Sequence, residues 1–275
     1  MDTALERWQA LIDARQQQMD AAFARLGRTS ADFWDRRARM YYRSAKDTIA
    51  QDALCLRLRN EVTTQTTLLD VGAGTGRFSL ALAPQAKHIV AVEPNATMLG
   101  YLRQDAASQR LTNISYIPST WQEAPSDLQA DIVLCNHVLY PIREVDTFLL
   151  KLRAATQHVC YIYMWATHPD GLNAHLWPHF HGDERQLLPK YIDALDVMCE
   201  MGIYADVEVA RLAVSLRYAS LEDAVEEQLE RLILPDDALT RDKLRTLLDA
   251  WLVERDGVLV PPVDTLVGAI IRMRR

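Results

Sequence analysis

Residues 66–77 read TTLLDVGAGTGR, a short apolar run that reaches Asp70 and then turns through Gly72, Gly74 and Gly76. Thr66 to Val71 is predicted as a buried strand, because a β-branched and aliphatic run of this length closed by glycine suits a central parallel strand. Arg77 to Ala83 is predicted as a helix stopped by Pro84. A strand that passes through glycines straight into a helix presents unpaired backbone N–H groups and a positive helix end, the ingredients of a cofactor cradle. Spacing removes two occupants. A dinucleotide fingerprint, G-x-G-x-x-G begun at Gly72 and Gly74, needs its third glycine where Arg77 stands. No Lys-Ser/Thr pair follows the glycines, which excludes a P-loop.

What stands here is D-x-G-x-G-x-G, and the next apolar run, His88 to Val92, ends in Glu93. In this order the chain closely resembles the class I S-adenosylmethionine-dependent methyltransferases, specifically over roughly residues 66–165. The resemblance implies that Gly72, Ala73, Gly74 and Gly76 wrap the methionine moiety of S-adenosylmethionine, and that Glu93, followed by Pro94, takes both ribose hydroxyls. A carboxylate at a strand end can accept two bonds from a vicinal diol, and such charge-assisted bonds are strong. Asp70 is placed to meet the ammonium or to order the loop. Where the family carries an acid beyond the third strand for the adenine amine, this chain has Ser119, Thr120 and Trp121. Thr120 can accept a hydrogen bond there and Trp121 can stack. The stretch DFWDRRARMYY, residues 32–42, is similar to the segment preceding the family's core, where an aromatic often closes over the cofactor. Tyr41 or Tyr42 is therefore a candidate contact, beside the plainer reading of packing. For the loop as a whole, the rival reading is a glycine turn kept only for tight strand–helix packing.

Composition narrows the partners. A chain of 275 residues, 49% hydrophobic and 24% charged, suits a globular protein with a full core. The formal net charge of −7 argues against a broad polyanion-binding surface, so nucleic acid is a disfavoured substrate. The start, MDTALERW, lacks a basic segment followed by an apolar core, and no apolar stretch is long enough to span a bilayer. A cytoplasmic protein without a membrane partner is expected. Cys55, Cys135, Cys160 and Cys199 form no C-x-x-C pair and sit in apolar surroundings, as reduced, buried thiols do. A Cys135–Cys160 bridge is conceivable on neighbouring strands and disfavoured in a reducing compartment.

Before the loop, Leu5, Trp8, Leu11, Ile12, Met19, Phe23 and Leu26 fall at helical spacing up to Gly27. A second helix is expected from Ser30, carrying Phe33 and Trp34, and a third from Thr48 to Arg59. After Glu93 the pattern predicts a helix over 96–107, a strand over 114–118 and a fourth strand, DIVLCNH, over 131–137. Ligands of open α/β sheets gather at the carboxyl ends of strands, which puts Asn136, His137 and Tyr140 on the cofactor face and His88 and His158 on the opposite rim. His137, with Tyr140 beside it, is the candidate general base, because an ordinary imidazole accepts a proton near neutrality. A packing histidine is the blander reading.

A helix over 144–156 and a strand over 159–165 complete the central region. Residues 166–185 read as a loop over the cofactor pocket, either plain surface or a lid with Trp177 and Phe180 as aromatic lining. Its HFHGDE cluster offers no fixed third ligand, and no metal is expected. A helix near 187–201, a strand over 207–218, two amphipathic helices (one capped by Ser220 with Asp223, one from Thr240) and a strand over 265–273 follow. The resemblance makes the last two strands an antiparallel edge, with residues 219–264 as a helical insertion and the closing charges of IRMRR guarding that edge.

The expected architecture is a doubly wound, Rossmann-like α/β fold: a seven-stranded mixed sheet with N-terminal helices and a helical lid. It divides into a helical extension (1–60), a cofactor-binding core (61–165) and lid segments with antiparallel strands (166–275). The expected activity is methyl transfer from S-adenosylmethionine to a small-molecule acceptor. A methyltransferase acting on protein or RNA, and a non-catalytic S-adenosylmethionine-binding protein, are the alternatives. The N-terminal stripe leaves a homodimer open beside a monomer.

Overall fold

The structure, a computed structural model, describes residues 2–29, 42, 49–166, 168–213, 216–263 and 265–275. The helix expected from Ser30, with Phe33, Trp34 and Tyr41, lies outside the described residues.

The aliphatic runs pair into one seven-stranded sheet built from β1 (Thr67–Val71), β2 (His88–Val92), β3 (Ile114–Ile117), β4 (Ala130–Asn136), β5 (Thr156–Trp165), β6 (Asp206–Ala213) and β9 (Thr265–Arg274), in the order β3-β2-β1-β4-β5-β9-β6. The first five strands are parallel, and β9 runs antiparallel to both β5 and β6. The expected mixed sheet is present, with one correction. β9 is an inner strand, so its charges do not guard an edge. Arg272 instead reaches across to Asp206 of β6 at 2.6 Å, and Arg57 pairs with Glu208 on the same outer strand.

Successive strand residues face opposite sides of the sheet. Leu68, Ile89 and Leu134 meet α2 (Ala53–Glu61), α3 (Arg77–Leu82) and α4 (Ala96–Ser108) on one face. Leu69, Val71, Val133 and Cys135 meet α1 (Ala4–Arg25), α5 (Val145–Ala155) and α7 (Tyr191–Glu200) on the other. A separate core forms from α8 (Leu221–Arg231), α9 (Ala238–Trp251) and the hairpin β7 (Val253–Arg255)–β8 (Val258–Val260). The hairpin turns at Asp256 and Gly257, both at positive φ (50° and 74°), as a two-residue primed turn requires. The helix α9 begins at Ala238, earlier than expected, because Asp237 caps it by accepting the Thr240 N–H at 2.9 Å.

Helix α1, about 33 Å long at 1.5 Å per residue, enters the first core through Trp8 and the separate core through Phe23. The Trp8 indole N–H donates to the Ile142 carbonyl at 2.7 Å. Residues 166–185 are more regular than expected, with short turns at Pro169–Gly171 and Ala174–Leu176 and one turn of helix, α6 (Pro178–His181). Trp177 is corrected from pocket lining to core. It is 1% exposed, the Arg185 guanidinium lies 3.6 Å from its ring centroid, and His181 stacks on it at 3.7 Å. The cysteines are free thiols; Cys55, Cys135 and Cys160 are buried, whereas Cys199 is exposed, against expectation.

Candidate functional site

The strand order reverses between β1 and β4, and the carboxyl ends of these two strands flank the crevice where open α/β sheets hold ligands. The segments leaving the two strands come very close. At Gly72, with φ of 71°, an added Cβ would lie 2.3 Å from Val138 Cγ2, and at Gly76, with φ of 85°, 2.2 Å from Leu102 Cδ1. At both positions the left-handed backbone and the close neighbouring side chain favour glycine.

Four N–H groups of the glycine loop are used inside the protein, where the sequence led us to expect unpaired ones. Gly72 and Ala73 both donate to the Val92 carbonyl (2.8 and 3.1 Å), Gly74 donates to Glu93 Oε2 (2.8 Å), and Gly76 donates to the Ala73 carbonyl (2.9 Å). The loop folds back onto the end of β2, and this satisfies its own backbone. Glu93, 6% exposed, also accepts the Asn95 N–H on Oε1 at 2.8 Å, while Pro94 between them stands exposed. A carboxylate offers about four acceptor positions, so about two remain for a vicinal diol. Burial pushes the Glu93 pKa up, and the two N–H donors pull it back. Asp70, 3% exposed, accepts the Ser79 hydroxyl at 2.6 Å and so ties β1 to α3. Burial pushes its pKa up to about 6. Of its two expected roles, this geometry performs the ordering of the loop.

Across the crevice, parallel pairing sets Asn136 of β4 beside Tyr163 of β5. Both amide atoms of Asn136 are buried and have no hydrogen-bond partner among the described residues. His137 follows at φ 59°, just past the strand, and its N–H donates to the Tyr163 carbonyl at 2.8 Å. Its ring lies 4.8 Å from that of Tyr163 and 4.7 Å from that of Trp165, stacked on the latter at 15°. Its Nδ1 is 3.0 Å from the Tyr140 hydroxyl oxygen, which in turn accepts the Trp165 N–H at 2.7 Å. Burial pushes the His137 pKa down to about 3. An imidazole so displaced is neutral at pH 7 and a poor proton acceptor, because a general base works best with a pKa near the operating pH. The geometry thus favours His137 and Tyr140 as a held, neutral pair over a base.

The remaining candidates are placed elsewhere. Tyr42 stacks on Tyr101 at 4.3 Å and donates its hydroxyl to Asp105 Oδ1 at 2.9 Å, so α4 holds it. Thr120 donates to Glu123 Oε2 at 2.8 Å and accepts the Glu123 N–H at 3.3 Å. Trp121 is 3% exposed, turned inward against Phe148 and Lys151.

Sequence reasoning passed over Tyr163, Trp165 and Asp52. The alternation YIYMW at the end of β5, which puts Tyr161 and Tyr163 on one face and brings Trp165 to the strand's carboxyl end, was the available signal. Asp52 caps α2 by accepting the Cys55 N–H at 3.0 Å, and its second oxygen takes Arg77 at 3.0 Å, just beyond the glycine loop. The segment after β5 is pinned over this region. Asp170 sits between Arg15 of α1 (3.1 Å) and Arg231 of α8 (3.2 Å), and the neighbouring His168 meets the Tyr140 ring edge-on at 4.9 Å.

A sequence profile described as a methyltransferase domain matches residues 63–183. The chain is similar to a ubiquinone biosynthesis O-methyltransferase of Rickettsia akari, 31% identical over 85 residues, which take in 31% of this chain and 34% of that one. It is also similar to a probable ribosomal RNA small subunit methyltransferase A of Methanosphaera stadtmanae, 37% identical over 51 residues, 18% of this chain and 19% of that one. The chain therefore spans about a third or less of the length of these curated relatives. Among solved structures, the YcgJ protein of Bacillus subtilis superposes with a TM-score of 0.56 at 16% identity, covering 80% of this chain and 96% of that one, which is a likeness of fold.

Proposed function

We propose that the chain, whose residues 63–183 match a methyltransferase domain profile, is a class I S-adenosylmethionine-dependent methyltransferase that transfers the sulfonium methyl of S-adenosylmethionine to a nucleophilic oxygen, nitrogen, sulfur or carbon of a small molecule. The observation that carries this reading is Glu93. It is a buried carboxylate at the end of β2, fastened to the loop through the Gly74 N–H and left with acceptor positions for the ribose diol. The unpaired amide of Asn136 suits the amino-acid end of the cofactor, its oxygen accepting from the ammonium and its nitrogen donating to the carboxylate. Asp70 and Ser79 keep the loop in register from beneath.

S-adenosylmethionine brings a methyl group on a leaving group already activated by positive charge. The work left to the protein is alignment and exclusion of water. Asp170, clamped by two arginines, holds the segment that covers Tyr140 and His137. The neutral His137 accepts or donates one hydrogen bond without taking a proton. The net charge of −7 supports a small acceptor over RNA, as does similarity to a relative named for ubiquinone biosynthesis. Among the described residues no helix is long and apolar enough to cross a membrane.

Calorimetric titration with S-adenosylmethionine, S-adenosylhomocysteine and a nicotinamide dinucleotide tests the reading. Binding of the first two alone is expected, and acceptors can then be screened by mass gain. Binding of neither overturns it.

A further inference from the structure

Tyr161 and Tyr163 stand two residues apart on β5 and face the same helices. Tyr161 donates its hydroxyl to Glu61 of α2 at 2.6 Å. Tyr163 is 0% exposed, yet its hydroxyl has no hydrogen-bond partner among the described residues. An unpaired buried hydroxyl is costly and calls for a partner, which a ligand group or a water can supply.

The neighbouring strand is shaped around this ring. Gly268 lies inside β9, where glycine weakens a strand and marks a close approach. A Cβ there would be 2.7 Å from Tyr163 Cε2 and 3.2 Å from its hydroxyl oxygen. The charge around the hydroxyl is balanced. Asp52 and Arg77, the ionised groups that act on it, pair with each other at 3.0 Å. His137, 4.8 Å away between ring centroids, is uncharged at neutral pH. Burial pushes the Tyr163 phenol well above its usual pKa, so it stays protonated, able to donate one hydrogen bond and accept another. Among the described residues no uncompensated charge faces the hydroxyl to pair with a carboxylate, a phosphate or an ammonium, and a neutral hydroxyl matches both capacities. Tyr163 is the register partner of Asn136, at the carboxyl end of the sheet beside the methyl donor's proposed seat.

We propose that Tyr163 binds a hydroxyl group of the methyl acceptor, and that the acceptor is a neutral phenol or alcohol seated against the Tyr163, His137 and Trp165 rings. This rests on the methyltransferase reading above. The test titrates phenol and toluene into the protein loaded with S-adenosylhomocysteine, followed by ligand-observed NMR. The wild type is expected to bind phenol, and Tyr163→Phe to weaken phenol roughly tenfold while leaving toluene and S-adenosylhomocysteine affinities unchanged. Gly268→Ala, which displaces the ring but keeps its hydroxyl, is expected to weaken phenol as well. Equal phenol affinity in wild type and Tyr163→Phe, or no phenol binding to the loaded wild type, means that water alone satisfies the hydroxyl and overturns the proposal. Failure of the wild type to bind S-adenosylhomocysteine overturns instead the reading on which it stands.

Discussion

At the carboxyl ends of β1 and β2, Gly72, Ala73, Gly74 and Gly76 all spend their N–H groups inside the protein, and Glu93 and Asp70 each hold partners from neighbouring segments. At the ends of β4 and β5, the Asn136 amide and the Tyr163 hydroxyl have none among the described residues. One side of the crevice is finished by the chain itself, and its geometry is set before a ligand arrives. The other carries polar atoms left for the proposed ligands to satisfy, so mutations on the two sides should act on different quantities. Changes on the finished side should alter stability and binding together; changes on the unfinished side should separate them.

The largest effect is expected at Gly72. An alanine there combines a left-handed backbone with a collision against Val138, costing about 2–4 kcal/mol of stability. Chemical denaturation should show the loss, and adding Val138→Ala should recover the steric part of it. Glu93→Ala removes both the loop's anchor and the ribose acceptor, for an expected loss of about 1.5–3 kcal/mol in cofactor binding, roughly 10- to 100-fold. Unchanged calorimetric affinity in a folded variant would place the ribose elsewhere.

Asp70→Asn tests whether the buried carboxylate serves order at a cost. Its pKa is raised from 3.8 to about 6 in the fold, so the folded form holds the extra proton. Stability therefore falls as pH rises from about 4 to 6, and the cost is complete above that window. The variant should gain about 1–2 kcal/mol over wild type at pH 7, with the gain vanishing near pH 4. His137, lowered from 6.5 to about 3, has the opposite sign: its contribution is present above pH 6.5 and lost as pH falls toward 3. In the wild type the two slopes oppose each other, and removing Asp70 should expose the acid sensitivity of the histidine in urea titrations across this range. The smallest effect is expected at Asn136. Its alanine variant should lose about 1 kcal/mol of cofactor affinity while its melting temperature stays level or rises, because an unpaired buried amide has been deleted. A drop in both would erase the contrast between the two sides.

Much of this was legible in the sequence for a local reason. The runs 67–71, 88–92 and 130–136 are aliphatic and end at glycine or polar residues, and Glu93 stands at a strand end that its neighbours define. The fate of the loop's N–H groups was not legible, because it depends on Val92, a residue of another strand. Nor was the burial that lowers the His137 pKa, which comes from β5 and the segment beyond it. Trp177 was misplaced because its position after a strand end says nothing of the separate core that α8 and α9 build around it. The β7–β8 hairpin is different in kind. Asp256-Gly257 between short apolar runs announces it, and that signal was available but unread.

The position of β9 between β5 and β6 has a consequence for how the molecule assembles. β6 emerges from synthesis well before the strand it bonds to, with all of α8, α9 and the hairpin intervening. During that interval β5 has an open edge and the exposed Val207 and Val209 of β6 lie on a strand with no docking place. Such long-range pairing is slow and leaves strand edges available to other chains. A nascent or refolding population should therefore be most prone to aggregate before β9 inserts, and a peptide of the β9 sequence supplied in trans should compete for that gap.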